Sequence, residues 1–390
     1  MRQAQAWRDR SPHFGESHEQ WAETVRRFVR KEVEPHIDTW ESAGALPREL
    51  HRKAAGIGLL GLGFPEAYGG TEAGVDRFHA MVTAQELADA GAGGLLAGLM
   101  VHSVALAPIL SLGDEAMKQR VAPAVLSGEK LISLAVTESG GGSDVSQLTT
   151  RGEREGDHYI INGSKNYITG GMRADYITVA ARTAGDGPGG ISLFLIETDR
   201  EGVSRTALEK MGWHCSDTAS LYFDHVAVPV ENRIGPDGGA FLSMMENFNA
   251  ERLGIAVTAT AFSFVCLDEA LAWARSRHTF GKALIERQVI RHKFAEMLRK
   301  IHATSAWIER CAVAMDHGRS DGGELALLKV QATRTLEFCA REACQVLGGA
   351  SFMRGQKVER IYREVRANAI SGGSEEVMLD LATRTMGLAR

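Results

Sequence analysis

The first stretch with chemical content is NFNAERLGIA, residues 247–256. In it Glu251 and Arg252 stand before fifteen residues without a charge, Leu253 to Leu267. A carboxylate backed by apolar residues is a candidate proton acceptor, because lost hydration disfavours its ionised form and lifts its pKa towards working pH. Taken without context, such a pair is usually a favourable end charge with a solvated neighbour at the mouth of a helix. Both readings place Glu251 at a helix start.

Two further stretches could hold a ligand. LAVTESGGGSDV, 134–145, runs from a strand into three glycines flanked by hydroxyls and an acid. Glycines permit close approach, and successive N–H groups can cradle a phosphate. INGSKNYITGG, 161–171, sets Tyr167 and Thr169 two residues apart, so strand alternation puts ring and hydroxyl on one face. Such a pair suits a planar heterocycle; a plain turn and an ordinary sheet face remain the alternatives. GIGLLG, 56–61, has the letters of a dinucleotide-binding loop, but PRELHRKAA before it is helical and LGFPEAYGG after it cannot be. It reads as a glycine-rich helix end. The thirteen histidines show no metal-ligand spacing, and no metal site is expected.

The elements that must position these residues fall into three textures. Helical spacing runs from Glu16 to about Lys130, with Trp21, Val25, Phe28, Val29 and Val33 on one face. Further helices are expected from Pro47, over about 74–91 and over about 98–111. From Leu131 to about Gly235, short β-branched and aromatic runs follow one another without helices between them, which predicts an antiparallel β domain. Long helices return at 240–277, 286–317, 322–347 and 356–386, predicting a bundle. In 322–347, Leu328, Ala332, Leu336, Cys339, Ala343 and Val346 form the apolar stripe, while Lys329, Arg334, Arg341 and Glu342 take other faces. The expected fold is α+β and multidomain, with an N-terminal helical domain (1–130), a middle antiparallel β domain (131–238) and a C-terminal four-helix bundle (239–390).

Bulk properties narrow the class. A net charge of −5 without a basic block excludes nucleic acid as the expected partner. Five cysteines without a CxxC pair fit a reducing compartment. The run 253–267 is too short for a bilayer span and reads as a core helix. The N-terminus lacks a secretory apolar segment, so cytoplasm is the default, or the mitochondrial matrix in a eukaryote.

LAVTESGGGSDV, NGSKNYITGG, KMGWHCSDTASLYFDHVAVP, ARSRHTFGKAL and CQVLGGASF occur together in the order and spacing of the acyl-CoA dehydrogenases. The chain resembles that family over residues 15–388, nearest the long-chain and isovaleryl-CoA branches. The resemblance implies bound FAD, oxidation of an acyl-CoA thioester to the trans-2-enoyl-CoA, an electron-transfer flavoprotein as acceptor, and a homotetramer. It implies that Thr137 and Ser143 contact flavin and phosphates of the cofactor or substrate, that Tyr167 lies against the isoalloxazine, and that Thr169 bonds near flavin N5. Arg277, Phe280, Gln345 and Gly349 would reach the FAD of a neighbouring subunit, and Ser374 and Glu376 belong to the stretch near FAD. Two residues depart from the usual pattern, with Ser139 in place of a proline and GGG in place of GAG.

Many relatives carry the α-proton base in a C-terminal Tyr-Glu-Gly-Thr stretch. Here ISGGSEEVM, 370–378, puts Gly372 at that position, leaving only its backbone N–H for the thioester oxygen. The two branches named above take their base from an ERL stretch, which makes Glu251 the expected base. Arg252 would orient local charge and substrate, while Glu375 and Glu376 are weaker rivals for the base. An acyl-CoA oxidase, a flavin monooxygenase and a non-catalytic homologue are the other readings. The acyl chain's length and branching, and coenzyme A against an acyl carrier protein, stay open. So does the role of GAGGLLAGL, 91–99, as room for a chain or as close helix packing.

Overall fold

The computed structural model describes residues 2–388. Helices α1 (Gln3–Arg8), α2 (Glu16–Phe28), α3 (Ile37–Ala43), α4 (Arg48–Gly56), α5 (Arg77–Ala88), α6 (Gly93–Met100), α7 (His102–Leu112) and α8 (Glu115–Leu126) come first. Strands β1 (Ile132–Ala135), β2 (Arg151–Glu155), β3 (His158–Thr169), β4 (Tyr176–Arg182), β5 (Ile191–Glu197), β6 (Val203–Ala207), β7 (Thr218–Pro229) and β8 (Arg233–Ile234) follow. The C-terminal part holds α9 (Ala240–Ser276), a hairpin of β9 (His278–Thr279) and β10 (Lys282–Ala283), α10 (Gln288–Asp316), α11 (Gly322–Leu347), α12 (Lys357–Ile370) and α13 (Glu375–Thr385). The elements gather into two compact units. One comprises residues up to 38, 76–93 and from 249 onward; the other comprises 39–75 and 94–248.

The second unit is built on one sheet in the order β6-β7-β3-β2-β4-β5-β8, with β1 beside β4. Most pairings are antiparallel as expected, but β1 and β2 each meet β4 in parallel, so the sheet is mixed. One face packs Ile161, Ile177, Val179, Phe194, Ile196, Leu221 and Val226 together. The other is covered by apolar residues of α7 and α8, among them Leu106, Ile109, Val121 and Val125. Being covered on both faces explains why β4 and β5 read as nearly continuous apolar runs. Strand β2, RGERE, escapes sequence reading because only Gly152 is buried; a Cβ there would lie 2.9 Å from Ile161 Cδ1.

GIGLLG lies at the end of α4 and the turns after it, as a helix-end reading requires. In GAGGLLAGL a Cβ on Gly94 would stand 2.8 Å from Cys215 Sγ, and one on Gly98 3.0 Å from Leu46 Cδ1, so these glycines serve close packing. The helices expected over 74–91 and 98–111 are shorter or earlier, since α6 begins inside the glycine cluster itself.

In the first unit the apolar stripe of α11 is buried from Leu328 to Val346. Lys329 and Glu342, on faces other than the stripe, are buried as well. Helix α11 packs against α10 and against α12 and α13, so it has too little open surface to solvate every polar residue. The expected helix 356–386 is two helices, broken at residues 371–374. Helix α9 begins at Ala240, so eleven residues, 240–250, precede Glu251. The carboxylate is therefore inside a helix, not at its mouth, and a macrodipole role is excluded. The longer stretch Asn247–Ser276 is apolar enough to cross a bilayer, and so is Gly93–Leu112. For Asn247–Ser276, 67% of the apolar window is buried within the protein, as a core helix shows.

Ionic contacts bind the N-terminal helices into this unit. Glu86 is 1% exposed and receives Arg2, Arg8 and Arg26, of which Arg8 is equally buried. One group of metal-ligating type occurs among the described residues, His18, Asp76 and His79. Gly15 N–H donates to His18 Nδ1 at 2.8 Å, which fixes the proton on Nε2, and Nε2 faces Asp76 at 2.9 Å. With its free nitrogen already used, His18 acts in the N-cap of α5, where Asp76 also accepts from Phe78 and His79 N–H.

Candidate active site

The carboxylate of Glu251 and the turn at 371–374 converge. Gly372 has φ +65° and Gly373 φ +110°, backbone conformations that side chains with a Cβ rarely adopt. A Cβ built on Gly372 would lie 2.5 Å from Ile255 Cδ1 and 3.8 Å from Glu251 Oε1. The slot opposite Glu251 is thus filled from one turn further along α9. Glu251 keeps a partly accessible edge. Its pKa is nonetheless raised by burial, against the charges of Arg252 and Lys329, which pull it back.

Lys329, fully buried on α11, donates to Ala369 O and Gly373 O, each at 2.7 Å. Burial brings its pKa down to about 8, with Glu375 and Glu251 opposing the shift. Arg252 is buried as well; it donates through Nη1 to Asn249 Oδ1 at 2.8 Å, and its Nε has no hydrogen-bond partner among the described residues. Glu375 accepts from Thr333 Oγ1 and Arg334 Nε, so its carboxylate is engaged in holding α13 to α11. Ser374 caps α13 by accepting from Val377 N–H, and Glu376 is exposed.

In the other unit the two loop motifs meet. Asn166 N–H donates to Thr137 O at 2.8 Å, which ties the residue before Tyr167 to the end of the LAVTE stretch. Beneath them Glu138, 6% exposed, accepts from the N–H and hydroxyl of both Thr149 and Thr150 and from Lys165 Nζ. Lys165 also donates to Val136 O at 3.0 Å. A bulge between Lys165 and Ile168 gives Tyr167 φ +63° and leaves it 65% exposed. Tyr167 lies within the bulge, while Ile168 is buried and Thr169 half-buried after it. Thr137 is half-buried and Ser143 exposed. A large ring kept open to solvent at a strained position is a residue type that can pack against a planar group.

The remaining expected residues are separate. Arg277 and Phe280 sit in and beside the β9–β10 hairpin, with Phe280 97% exposed, and Gln345 and Gly349 are exposed at the end of α11. Ile255 and Lys329 surround Glu251 and Gly372 in one unit, and Glu138 and Lys165 underlie the loop motifs in the other, without having been singled out as site residues by the sequence. A lone lysine inside the apolar run LALLKVQA was the available signal for Lys329.

Glu138 carries a pH signature. Burial favours its protonated form, but the Lys165 ammonium and the threonine hydroxyls outweigh burial and hold its pKa at about 2, against 4.5 when unperturbed. A depressed carboxyl stabilises the folded state above its unfolded pKa and loses that contribution as pH falls towards its folded one. Denaturant midpoints should therefore fall between pH 4.5 and about 2 in the native protein. In Glu138→Gln this component of the fall should be missing, while the midpoint near neutrality is lower throughout.

A carboxylate of raised pKa beside a glycine turn in one unit, and an exposed tyrosine in the loop region of the other, are each residue types that flavin-dependent dehydrogenation of a weakly acidic C–H bond calls for. The chain belongs to the acyl-CoA dehydrogenase family: it matches that family's N-terminal domain over residues 15–129, its middle domain over 133–226 and its C-terminal domain over 238–387. It is similar to the mitochondrial long-chain specific acyl-CoA dehydrogenase of Mus musculus, at 33% identity over 95% of this chain and 86% of that protein. A putative acyl-CoA dehydrogenase from Mycobacterium smegmatis superposes with a TM-score of 0.95 at 41% identity, covering 97% of this chain and all of the other. A glutaryl-CoA dehydrogenase from the same organism, solved in complex with FADH2, gives 0.90 at 25% identity, over 96% of each chain. The protein is thus an FAD-dependent oxidoreductase that introduces a double bond between Cα and Cβ of an acyl-CoA thioester.

Proposed function

We propose that Glu251 is the base that removes the α-proton, with the N–H of Gly372 binding the thioester oxygen. One observation carries this reading: a side chain at 372 would reach within 3.8 Å of Glu251 Oε1, so two positions far apart in sequence address one point in space. FAD, when bound, supplies the two-electron acceptor for the β-hydride. The chain's own task is to hold the α-proton at Glu251 and to stabilise the developing enolate oxygen by donors preset in the fold. A raised pKa makes Glu251 a stronger proton acceptor once ionised. Arg252 supports the local charge and the substrate, as does Ser143.

Thr137, Ser143, Tyr167 and Thr169 hold FAD on this reading, with Ser374 and Glu376 nearby. Arg277, Phe280, Gln345 and Gly349 serve the FAD of a neighbouring subunit in a homotetramer; the exposure of Phe280 supports this, since a fully open aromatic ring gains by being covered. An electron-transfer flavoprotein accepts the electrons, and the cytoplasm or a mitochondrial matrix is the location. The acyl group rides on coenzyme A, with an acyl carrier protein as the other carrier to be tried. Anaerobic addition of acyl-CoAs of graded length and branching to the purified flavoprotein should bleach its visible absorbance with at least one of them. No bleaching by any, with flavin bound, would reduce the protein to a non-catalytic homologue; rapid peroxide formation in air would make it an oxidase.

A further inference from the structure

We infer that Lys329 is a positioning residue for this reaction, clamping the Gly372 turn at both ends and setting the charge felt by Glu251; the inference rests on Glu251 being the base. The turn joins α12 to α13. Its first anchor, Ala369 O, is one of the last carbonyls of α12, which have no partner within the helix and carry the negative end of its dipole. Its second, Gly373 O, lies just past Gly372. One ammonium bonded to both at 2.7 Å fixes the distance between them, and with it the direction of the peptide at Gly372. Without a Cβ at 372 or 373 the turn has little rigidity of its own, so the fixing must come from outside it.

Burying a lysine completely is costly, and a helix packed only for stability would place an apolar residue there. The cost is offset here by two carbonyls and a helix C-terminus. The same ammonium acts on Glu251 through its charge, as does Arg252 from Glu251's own helix, while Glu251, Glu375 and Glu376 act in turn on Lys329.

Lys329→Met keeps the volume and removes the donors and the charge. With FAD retained, the limiting rate of anaerobic flavin reduction by a bleaching acyl-CoA should fall roughly 10- to 100-fold, as expected from a misplaced reacting group, with a smaller change in substrate affinity. The ascending limb of the rate against pH should move to higher pH, because a cation favouring the ionised form of Glu251 is gone. A purely structural lysine would lower thermal stability without moving that limb. If the rate and the limb match the native enzyme, the inference is overturned. Should Lys329→Met fail to fold, Lys329→Gln, which keeps an amide donor without the charge, reads the same limb, and an unmoved limb there overturns the inference equally. Glu251→Gln separates the two levels: native-rate bleaching in that variant removes the base assignment itself, whereas its loss beside an unaltered Lys329→Met removes only the clamp.

Discussion

Glu251→Gln should bind FAD with an unaltered visible spectrum and lose roughly 10³- to 10⁴-fold in the rate of substrate-dependent bleaching, the upper part of the range for a positioned base. The substitution keeps the size of the side chain and removes only its capacity to accept a proton, so folding and flavin binding should survive. The native rate should climb with pH as Glu251 ionises and then level, and the position of that climb should lie above the ordinary carboxylate range because burial raises the pKa. In Glu251→Gln the climb should disappear along with the rate. Stopped-flow reduction under anaerobic conditions measures both, and a variant that bleaches at the native rate would place the base elsewhere. Glu375 is a poor refuge for that role, since Thr333 and Arg334 already occupy its oxygens.

How far the sequence reveals this site depends on the range of the forces involved. Apolar periodicity locates the strands and the stripe of α11, because each residue's face follows from local geometry. The motif order points to the family, and through it to Glu251 and Gly372 as a pair. Periodicity does set the start of this helix near 240, and with it Glu251 inside α9; reading Glu251 at a helix mouth followed the polar residues of ENFNAER, which resemble a helix start although the chain before them is already helical. The bulge at Tyr167 is hidden, because it arises from pairing with β7 and not from residues 165–168 alone. Lys329 and Lys165 look like solvent-facing charges, and only the tertiary fold supplies the carbonyls and carboxylate that allow them to be buried. Buried charges of this kind are the usual failure of face assignment, since a lysine's position says nothing of the partner that awaits it.

The most demanding consequence concerns moving the acid. Glu251→Gly combined with Gly372→Glu restores the residue type that many relatives carry at 372, yet it should remain within about tenfold of the rate of Glu251→Gln, still roughly 10² or more below the native enzyme. Two features oppose the transplant. A residue with a Cβ must hold φ near +65°, which costs on the order of 1–2 kcal/mol. Its Cβ must also displace Ile255 Cδ1 from 2.5 Å, in a turn whose ends Lys329 ties down. Adding Ile255→Ala removes the obstructing Cδ1 and Cγ1, leaving only the backbone strain, so the triple variant should recover at least about tenfold over the double. Reduction rates of the three proteins with one acyl-CoA give the answer directly. Near-native activity in the double variant would mean that the turn yields freely, and then neither the filled slot nor the lysine clamp could be what confines the base to α9.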